Sequence, residues 1–564
     1  MSDVFEINNG IFSALFLNGD FRKLKTGGQE FIQRIYFAVR DEQWRNVSFA
    51  LKKISEQSSN EAFSCTHEML FSAGSIKFNV NIFFSIEKNN ITIEANGKAL
   101  CAFNKNRIGF CLHLPATLKA TDCIVTHLDH TTTVSSFPFF VSPHQPFKNI
   151  SAIEWEKNGK RIKIVLEGDV FEMEDQRNWT DASYKIYSTP LEIPFPAEVK
   201  KGEKFYQKIS IMLSGEKQSD PINNKLETLP SETVACPALG IVEPGVIAGG
   251  ENILSEKSDL PFSHYRIDFH LYDTNWKTSS LPGILRAAAL HLPVYAVVYF
   301  SGNFLLQAKE FIAFIHSFKS VFIHSVCLLP AENFVLRDDV LQALVSVMRQ
   351  SFSKAAVGGG TDANFAQLNR SRPDPSLLDF ICYSVQPQEH AADALSIIEN
   401  IQGQLPTVQT AKTFSANKEV HISALSFFKR FNANVTSVWK DKIETYEHKG
   451  SCFEAAWFVA SLHQLIVAGA ACINCVYPVK KELPLIKMVS YMAKNPPERF
   501  YTCGSFLPEK YAALSWRSKN KRHSVFANLT EEKIAIAHPF AEIVLMPFEI
   551  HYTSSILKNQ FHHL

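Results

Sequence analysis

The sequence lacks a strong charge of either sign, a long hydrophobic run and a regular pattern of cysteines. Its 57 lysine and arginine residues and 56 aspartate and glutamate residues leave a formal net charge of +1, so no overall field favours nucleic acid or an anionic membrane. The apolar stretch closest to a membrane span, Leu292–Phe300, has only the length of a strand. The eleven cysteines are an odd number without framework spacing, which is typical of reduced thiols in a cytoplasm.

Several functional signatures are also missing. Met1–Glu6 has neither the basic nor the apolar region of a secretory leader, so we expect a cytoplasmic protein. The motifs G-x-G-x-x-G, H-E-x-x-H and G-x-S-x-G are absent, which disfavours a dinucleotide enzyme, a zinc protease and an α/β-hydrolase. His264, His270, His390 and His421 are scattered without metal-ligand spacing. We therefore expect no metal, no other cofactor, and no nucleic-acid or membrane partner.

The first 215 residues or so carry the pattern of an all-β region. Ile76–Ile82 alternates apolar and polar residues with a period of two, as a half-buried strand does. Turn-forming pairs such as Asn18-Gly19 and Asn158-Gly159 separate the apparent strands. The pattern predicts an N-terminal β-sandwich, followed by a linker-like stretch of residues 215–260.

After this stretch, strands and helices alternate. Such a repeat over roughly 250 residues predicts a (β/α)₈ barrel of the TIM type. We therefore expect an α/β plus all-β chain, with a β-sandwich over 1–225, a catalytic barrel over 226–500 and a small C-terminal β domain over 501–564. Seven barrel strands are predicted: Tyr265–Leu271, Val294–Phe300, Val321–Cys327, the strand leading into Gly358, Leu378–Val385, His421–Phe427 and Ala471–Tyr477. The pattern gives no clear eighth strand, and Phe500–Thr502 is the best candidate.

Polar side chains follow several of these strands, at the barrel face where active sites lie. Three glycines, Gly358–Gly360, precede Thr361 and Asp362, and we interpret them as a loop that approaches a ligand closely. Asp362 and His390 are the candidate catalytic residues. Arg266 and Asp268 are interpreted mainly as a structural pair. The candidate substrate-binding residues are Asp268, His270, Asn364, Asn369, Arg370, Gln388, Arg430 and Asn432.

An acid, a histidine and several amide and guanidinium donors suit the addition of water to a carbonyl. A general base activates the water while fixed donors stabilise the oxyanion. The seventh strand, Ala471–Tyr477, supplies no carboxylate, whereas a glycosidase needs two. A glycoside hydrolase remains an alternative if a loop brings in Glu389, Asp393 or Glu482, and so does a non-catalytic carbohydrate-binding protein.

Several passages of the chain resemble the D-apionate lactonase family of bacterial sugar-acid catabolism. The passages are Phe171–Lys185, Gly359–Phe365 with Leu368-Asn369-Arg370, Gln388-Glu389-His390-Ala391, Ser142–Phe147 and Lys429-Arg430-Phe431-Asn432. The resemblance implies a glycosidase-like barrel between two β domains and the hydrolysis of D-apionolactone to D-apionate in apiose catabolism. From composition alone, the charged and aromatic passage Glu172–Lys185 is a surface loop, a buried polar network or a binding edge. The resemblance implies that it belongs to the family's signature. We expect a small-molecule sugar lactone as the binding partner.

Overall fold

The computed structural model describes residues 4–59, 62–215, 232–242, 261–331, 335–430, 448, 450–476, 484–502, 509–538 and 541–556. Contacts divide the chain into two units. The first consists of Met1–Arg177 and Ser183–Asn223, and the second of Asn178–Ala182 and Asn224–Leu564. No helix within the described ranges is long and apolar enough to cross a membrane.

In its described residues the first unit has seventeen strands, which pair in the antiparallel direction. Alternate side chains point inward, as Phe78, Val80 and Ile82 do, and build one apolar core. The predicted N-terminal β-sandwich is confirmed. The strands are β1 (Val4–Asn8), β2 (Phe12–Leu17), β3 (Asp20–Thr26), β4 (Gln29–Asp41), β5 (Phe49–Ser58), β6 (Ala62–Ala73), β7 (Ile76–Glu87), β8 (Asn90–Ala99), β9 (Phe103–Pro115), β10 (Asp122–His127), β11 (Thr132–Ser136), β12 (Phe147–Lys157), β13 (Lys160–Glu167), β14 (Phe171–Asp175), β15 (Ser183–Ser188), β16 (Ala197–Val199) and β17 (Lys204–Gly215).

The polar passage Glu172–Lys185, of which Asn178–Ala182 belongs to the second unit, is buried. Asp175 and Arg177 have fully buried side chains, and the Arg177 guanidinium donates to Asp175 Oδ1 at 2.8 Å and to Oδ2 at 2.6 Å. Arg177 also donates to the backbone oxygens of Pro138 and Phe139. The two charges neutralise each other, which is the condition for burying them. The contacts of Asp175 and Arg177 show a buried polar network here and not a solvated surface loop.

The second unit contains the barrel. Eight parallel strands in its described part close into a ring, and helices follow most of them, which confirms the predicted barrel. The strands are β18 (Thr233–Val234), which lies outside the ring, β19 (Ala238–Val242), β20 (His264–His270), β21 (Val294–Phe300), β22 (Ile323–Pro330), β23 (Ala356–Gly360), β24 (Phe380–Val385), β25 (Glu419–Leu425) and β26 (Cys472–Val476). The helices are α1 (Trp276–Ala289), α2 (Phe304–His316), α3 (Asp338–Ser351), α4 (Phe365–Arg370), α5 (Ala394–Asn400), α6 (Gln404–Phe414), α7 (Cys452–Ala468) and α8 (Pro484–Lys494).

The ring is closed by β19, which precedes all its other strands. Ala238 pairs with Cys472 on β26, and Gly240 pairs with His264 on β20. The prediction that Phe500–Thr502 is the eighth strand is therefore wrong. β19 has only five residues and lies among proline and glycine residues, so its sequence has the character of a linker.

The glycines before Asp362 belong to strand β23 and not to a ligand loop. A Cβ atom on Gly358 would lie 2.3 Å from the ring of Phe380, and one on Gly360 would lie 2.3 Å from the backbone oxygen of Cys382. Gly360 also has φ +135°, which disfavours any side chain. The glycines therefore let β23 pass close to β24. The interpretation that they approach a ligand is not supported by these contacts.

The C-terminal region is a small β structure. β27 (Arg499–Tyr501) pairs with β18 and with β28 (Tyr511–Ser518), which continues to β29 (Lys521–Asn528) and β32 (Ile550–Ile556). A separate hairpin joins β30 (Ile534–His538) to β31 (Ala541–Leu545). β27 contains most of the segment that the sequence suggested for the barrel.

Candidate active site

Asp362 lies directly after β23 and receives five hydrogen bonds. Arg266 donates two hydrogen bonds, from Nη1 to Oδ1 at 3.0 Å and from Nη2 to Oδ2 at 2.7 Å. Ser423 Oγ lies 2.6 Å from Oδ1, and Tyr299 Oη lies 2.8 Å from Oδ2. Arg430 Nη1 is 2.5 Å from Oδ2. The side chain is fully buried, so these donors occupy the acceptor positions of the carboxylate.

The electrostatics of Asp362 keep it ionised. Burial alone would raise its pKa, but the charges of Arg266 and Arg430 outweigh this effect and hold the pKa well below its ordinary value. A general base must take up a proton near neutral pH. A carboxylate with a depressed pKa and five donors is poorly suited to that task. The geometry favours Asp362 as the anchor of the surrounding cations.

Arg430 connects this buried cluster to a small cavity. Its Nη2 also contacts Asp268 Oδ2 at 3.3 Å, and its side chain keeps 15% of its exposure. Asp268 is held by Arg266, with Nε to Oδ1 at 2.7 Å. Asp268 thus fixes the two guanidinium groups, which is the structural pairing expected of Arg266 and Asp268.

His270 lies beside the same cluster. Its ring stacks on Tyr299 with a centroid distance of 4.7 Å, and its Nδ1 lies 3.0 Å from Tyr272 Oη. Burial lowers the pKa of His270, so the neutral imidazole is the favoured form at neutral pH.

The cavity is small, and six of the seven residues that line it are polar. Glu389, which is nearly buried, accepts from Gln386 at 2.8 Å and from Asn364 at 3.0 Å on Oε2, and from Lys429 at 2.9 Å on Oε1. Because the Asn364 amide nitrogen must face this carboxylate, its Oδ1 is identified unambiguously. That oxygen is buried without a hydrogen-bond partner in the described part of the chain. The cavity is lined by Asn364, Ser384, Val385, Gln386, Glu389, Ser426 and Arg430.

His390 follows directly after the cavity residue Glu389. Its Nδ1 faces Asp181 Oδ2, and the other oxygen of Asp181 accepts from Asn400 Nδ2 at 2.7 Å. The His390 side chain keeps 18% of its exposure, whereas Asp181 keeps 5%. A carboxylate at Nδ1 selects the tautomer with the proton on that nitrogen, which leaves the lone pair on Nε2.

The other predicted site residues lie elsewhere. Asn369 donates to Asn178 Oδ1 at 3.0 Å, and the Arg370 guanidinium lies 5.4 Å from the centre of the Trp179 ring. Gln388 donates to the backbone oxygen of Phe427 at 2.6 Å. Each of these three side chains contacts another protein group, and none of them lines the cavity. Asp393 caps α5 by accepting from Ser396 N at 3.0 Å, and Asn432 and Glu482 lie outside the described residues.

Sequence reasoning missed Tyr299, Ser423 and Asp181. Tyr299 and Ser423 lie near the carboxyl ends of barrel strands β21 and β25, and Tyr299 follows Tyr295 and Val297 at the alternate positions that point inward. This alternation was a usable signal. Asp181 lies more than two hundred positions before its histidine, and nothing local in the sequence signals the pairing. Within the described ranges, no group of three or more histidine, cysteine, aspartate or glutamate side chains is arranged to hold a metal ion.

Family models agree with this arrangement of domains. The model for the N-terminal domain of D-apionate lactonase matches residues 2–216, and the model for its TIM barrel domain matches residues 252–484. Together they match well over half of the 564 residues. The chain belongs to the D-apionate lactonase family. Strand β19 and the C-terminal sheet lie outside both D-apionate lactonase models.

The chain is also similar to individual proteins. It is 26% identical over 424 residues to a D-apionate lactonase from Brucella anthropi, which covers 70% of this chain and 68% of that protein. A GH30 endoxylanase from Clostridium papyrosolvens has a TM-score of 0.39 and 10% identity, covering 59% of this chain and 98% of that one. A conserved exported protein from Bacteroides fragilis has a TM-score of 0.40 and 8% identity, covering 58% and 99%. TM-scores this low do not establish a common fold, so the assignment to the D-apionate lactonase family depends on the sequence matches.

Proposed function

We propose that this protein hydrolyses the ester bond of a neutral sugar lactone, with D-apionolactone as the substrate. The observation that carries the proposal is the pairing of His390 with Asp181. His390 directly follows Glu389, which lines a cavity together with Arg430 and Asn364. A histidine oriented by a carboxylate is a general base, and fixed cations and amides stabilise an oxyanion. Membership of the D-apionate lactonase family supports the choice of lactone.

The proposed reaction begins with water held between His390 Nε2 and the lactone carbonyl. His390 accepts a proton as the water oxygen attacks the carbonyl carbon, and the electron pair of the C=O bond moves to the carbonyl oxygen. Arg430 stabilises this oxyanion by donating to it. The oxyanion then re-forms the C=O bond, the bond to the ring oxygen breaks, and the imidazolium returns its proton to that oxygen. The product is the open-chain sugar acid.

The charges around the cavity support a neutral substrate. Arg266, Arg430 and Lys429 are matched by the carboxylates of Asp268, Asp362 and Glu389 through the ion pairs described above. A site for a sugar phosphate would carry surplus positive charge. A neutral polyhydroxyl lactone needs directed donors and acceptors instead, and the Asn364 Oδ1 atom is a buried acceptor for one of its hydroxyl groups.

The same charges argue against a glycoside hydrolase. In the described part of the chain Glu389 is the one carboxylate that lines the cavity, and Asp362 has its acceptor positions occupied. Glycosidases use two carboxyl groups about 5–10 Å apart across the sugar. We therefore favour the lactone over the glycoside, and p-nitrophenyl glycosides serve as the comparison substrates.

The test is acid release from purified D-apionolactone at constant pH, measured against spontaneous hydrolysis. We expect turnover by the wild-type protein and a loss of at least about 100-fold in kcat for His390→Gln. Glu419→Gln is the matched control, because Glu419 contacts a different histidine, His421, at 2.9 Å near the amino end of β25. No rate above the spontaneous one, or an unchanged rate in His390→Gln, contradicts the proposal.

A further inference from the structure

We infer that Asp181 is the positioning residue of His390, and that the segment Asn178–Ala182 is a built part of the active site. The inference rests on the proposed role of His390 as general base. This five-residue segment is flanked on both sides by the first unit, yet by its contacts it belongs to the second unit, with the barrel. If the segment is part of the active site, the barrel needs residues from the N-terminal half of the chain to catalyse its reaction.

Backbone and side-chain hydrogen bonds hold the segment on the barrel loops. Thr180 Oγ1 donates to the backbone oxygen of Gln386 at 2.9 Å, close to the cavity. Asn369, after β23, donates to Asn178 Oδ1 at 3.0 Å. Four of the five residues keep no more than 3% of their exposure. The segment is thus held by Gln386, which follows β24, and by Asn369 of helix α4, which follows β23.

Asn400, at the end of α5, fixes Asp181 itself. Its Nδ2 donates to Asp181 Oδ1 at 2.7 Å, and its Oδ1 accepts from the backbone nitrogen of Ala182 at 3.3 Å. Since a carboxylate only accepts and a backbone nitrogen only donates, both ends of this amide are assigned without ambiguity. With Oδ1 held by Asn400, the remaining oxygen of Asp181 is directed at His390 Nδ1.

Close packing restricts the same pair. A Cβ atom on Gly403 would lie 2.4 Å from the backbone oxygen of Thr180 and 2.8 Å from that of Asp181. The segment therefore lies directly against the Gly403 backbone, at a distance that no other residue allows without a shift. On the other side the Trp179 ring meets the His390 ring edge-on, with centroids 5.8 Å apart. The imidazole is fixed by a carboxylate at one nitrogen and an indole beside the ring.

This geometry explains what Asp181 would contribute to catalysis. A carboxylate at Nδ1 keeps the proton on that nitrogen, directs the Nε2 lone pair to the water, and stabilises the imidazolium that forms. An asparagine at this position can turn its amide nitrogen towards Nδ1, which selects the opposite tautomer and leaves no base at Nε2. Asp181→Asn should therefore lower kcat while preserving the shape of the segment.

The kinetic test compares Asp181→Asn, Asp181→Glu, His390→Gln and the double variant Asp181→Asn/His390→Gln. We expect Asp181→Asn to reduce kcat by about 10²–10⁴-fold with KM within about twofold. Asp181→Glu should recover part of the loss, and the double variant should be no slower than His390→Gln alone. The inference is overturned if the Asp181→Asn loss is confined to KM, or if the two losses multiply. Glu419→Gln controls for removing a carboxylate from a histidine elsewhere in the barrel.

A second measurement needs no substrate. In protein carrying ¹⁵N-labelled histidine, the His390 signals are identified by their loss in His390→Gln, and the ring nitrogen shifts report the tautomer. We expect the proton on Nδ1 in the wild type and its transfer to Nε2 in Asp181→Asn. The positioning inference is refuted if the tautomer is the same in both. If the tautomer changes but no lactone is hydrolysed, the proposed function fails while the positioning of His390 by Asp181 is supported.

Discussion

Replacing Asp362 by asparagine tests whether this carboxylate anchors the surrounding arginines or acts as a general base. Asparagine is nearly the same size but carries no charge, and its amide nitrogen would face groups that already donate. The carboxylate now satisfies Arg266, which is fully buried, and Arg430, which is nearly so. Removing one partner of a buried ion pair costs about 3–5 kcal/mol, because the other charge remains buried. We expect Asp362→Asn to lower the free energy of unfolding by this amount.

The matched control is Asp268→Asn. Asp268 contacts the same two arginines but keeps 21% of its exposure, so solvent compensates part of the loss and we expect a cost nearer 1 kcal/mol. The free energies of unfolding of both variants are to be measured by urea unfolding at pH 7, monitored by circular dichroism. A general base whose loss affects only the reaction would leave the free energy of unfolding unchanged. Wild-type stability in Asp362→Asn, together with lost activity, would refute the anchoring role.

The same variant makes a prediction about pH. The pKa of Asp362 is depressed in the folded state, mainly by Arg266 and Arg430 acting against burial. Its contribution to stability is therefore complete above the unfolded pKa of about 3.9 and is lost as the pH falls below that value. We expect wild-type stability to decline more steeply than that of Asp362→Asn below about pH 4. Equal slopes of the free energy of unfolding against pH would contradict the depressed pKa.

Three further changes test other parts of the second unit. Arg430→Gln should lower kcat for the lactone by about 10²–10³-fold through loss of an oxyanion donor, and Arg430→Lys should recover part of it; an unchanged kcat in Arg430→Gln would exclude that role. Burial holds the pKa of His264 at about 3, so its neutral form stabilises the fold above pH 6.5, and this contribution is lost as the pH falls towards 3. His264→Gln should remove about 2 kcal/mol of the pH dependence of unfolding between pH 6.5 and 5, and an unaltered pH dependence would be inconsistent with the burial effect. Gly403→Ala should displace the Asn178–Ala182 segment, lower kcat at least about tenfold and reduce the free energy of unfolding by about 1–3 kcal/mol. The control is Gly283→Ala, whose added Cβ atom would lie at an ordinary 3.5 Å from Ile267. Equal effects of the two substitutions would argue against the displacement.

The sequence predicted the barrel better than it predicted the barrel's closure. Buried parallel strands such as Val294–Phe300 read as continuous apolar runs separated by helical patterns, and this signal survives without any tertiary information. β19 carries too few residues for such a signal, and it is identified only by its pairing with Cys472 and His264. Pairing over that separation is not encoded locally.

Site prediction had a similar limit. The rule that polar residues at the carboxyl ends of barrel strands form the site selected Asp268, Asp362 and Arg430, and in the structure Arg430 contacts both carboxylates. It could not tell a proton acceptor from an anchor, because that depends on how many donors surround the carboxylate. Nor could it find Asp181, since contact between Asp181 and His390 exists only after the chain has folded.

The position of β19 governs when the barrel can fold during synthesis. Because Ala238 pairs with Cys472, the ring cannot close until β26 has left the ribosome, long after the last strand of the first unit has emerged. Until then β19 and β25 each present an edge without its final neighbour, and open edges of this kind promote aggregation. Ribosome-bound chains that stop before residue 472 should therefore depend on chaperones, while chains long enough for Val476 to have left the ribosome should not.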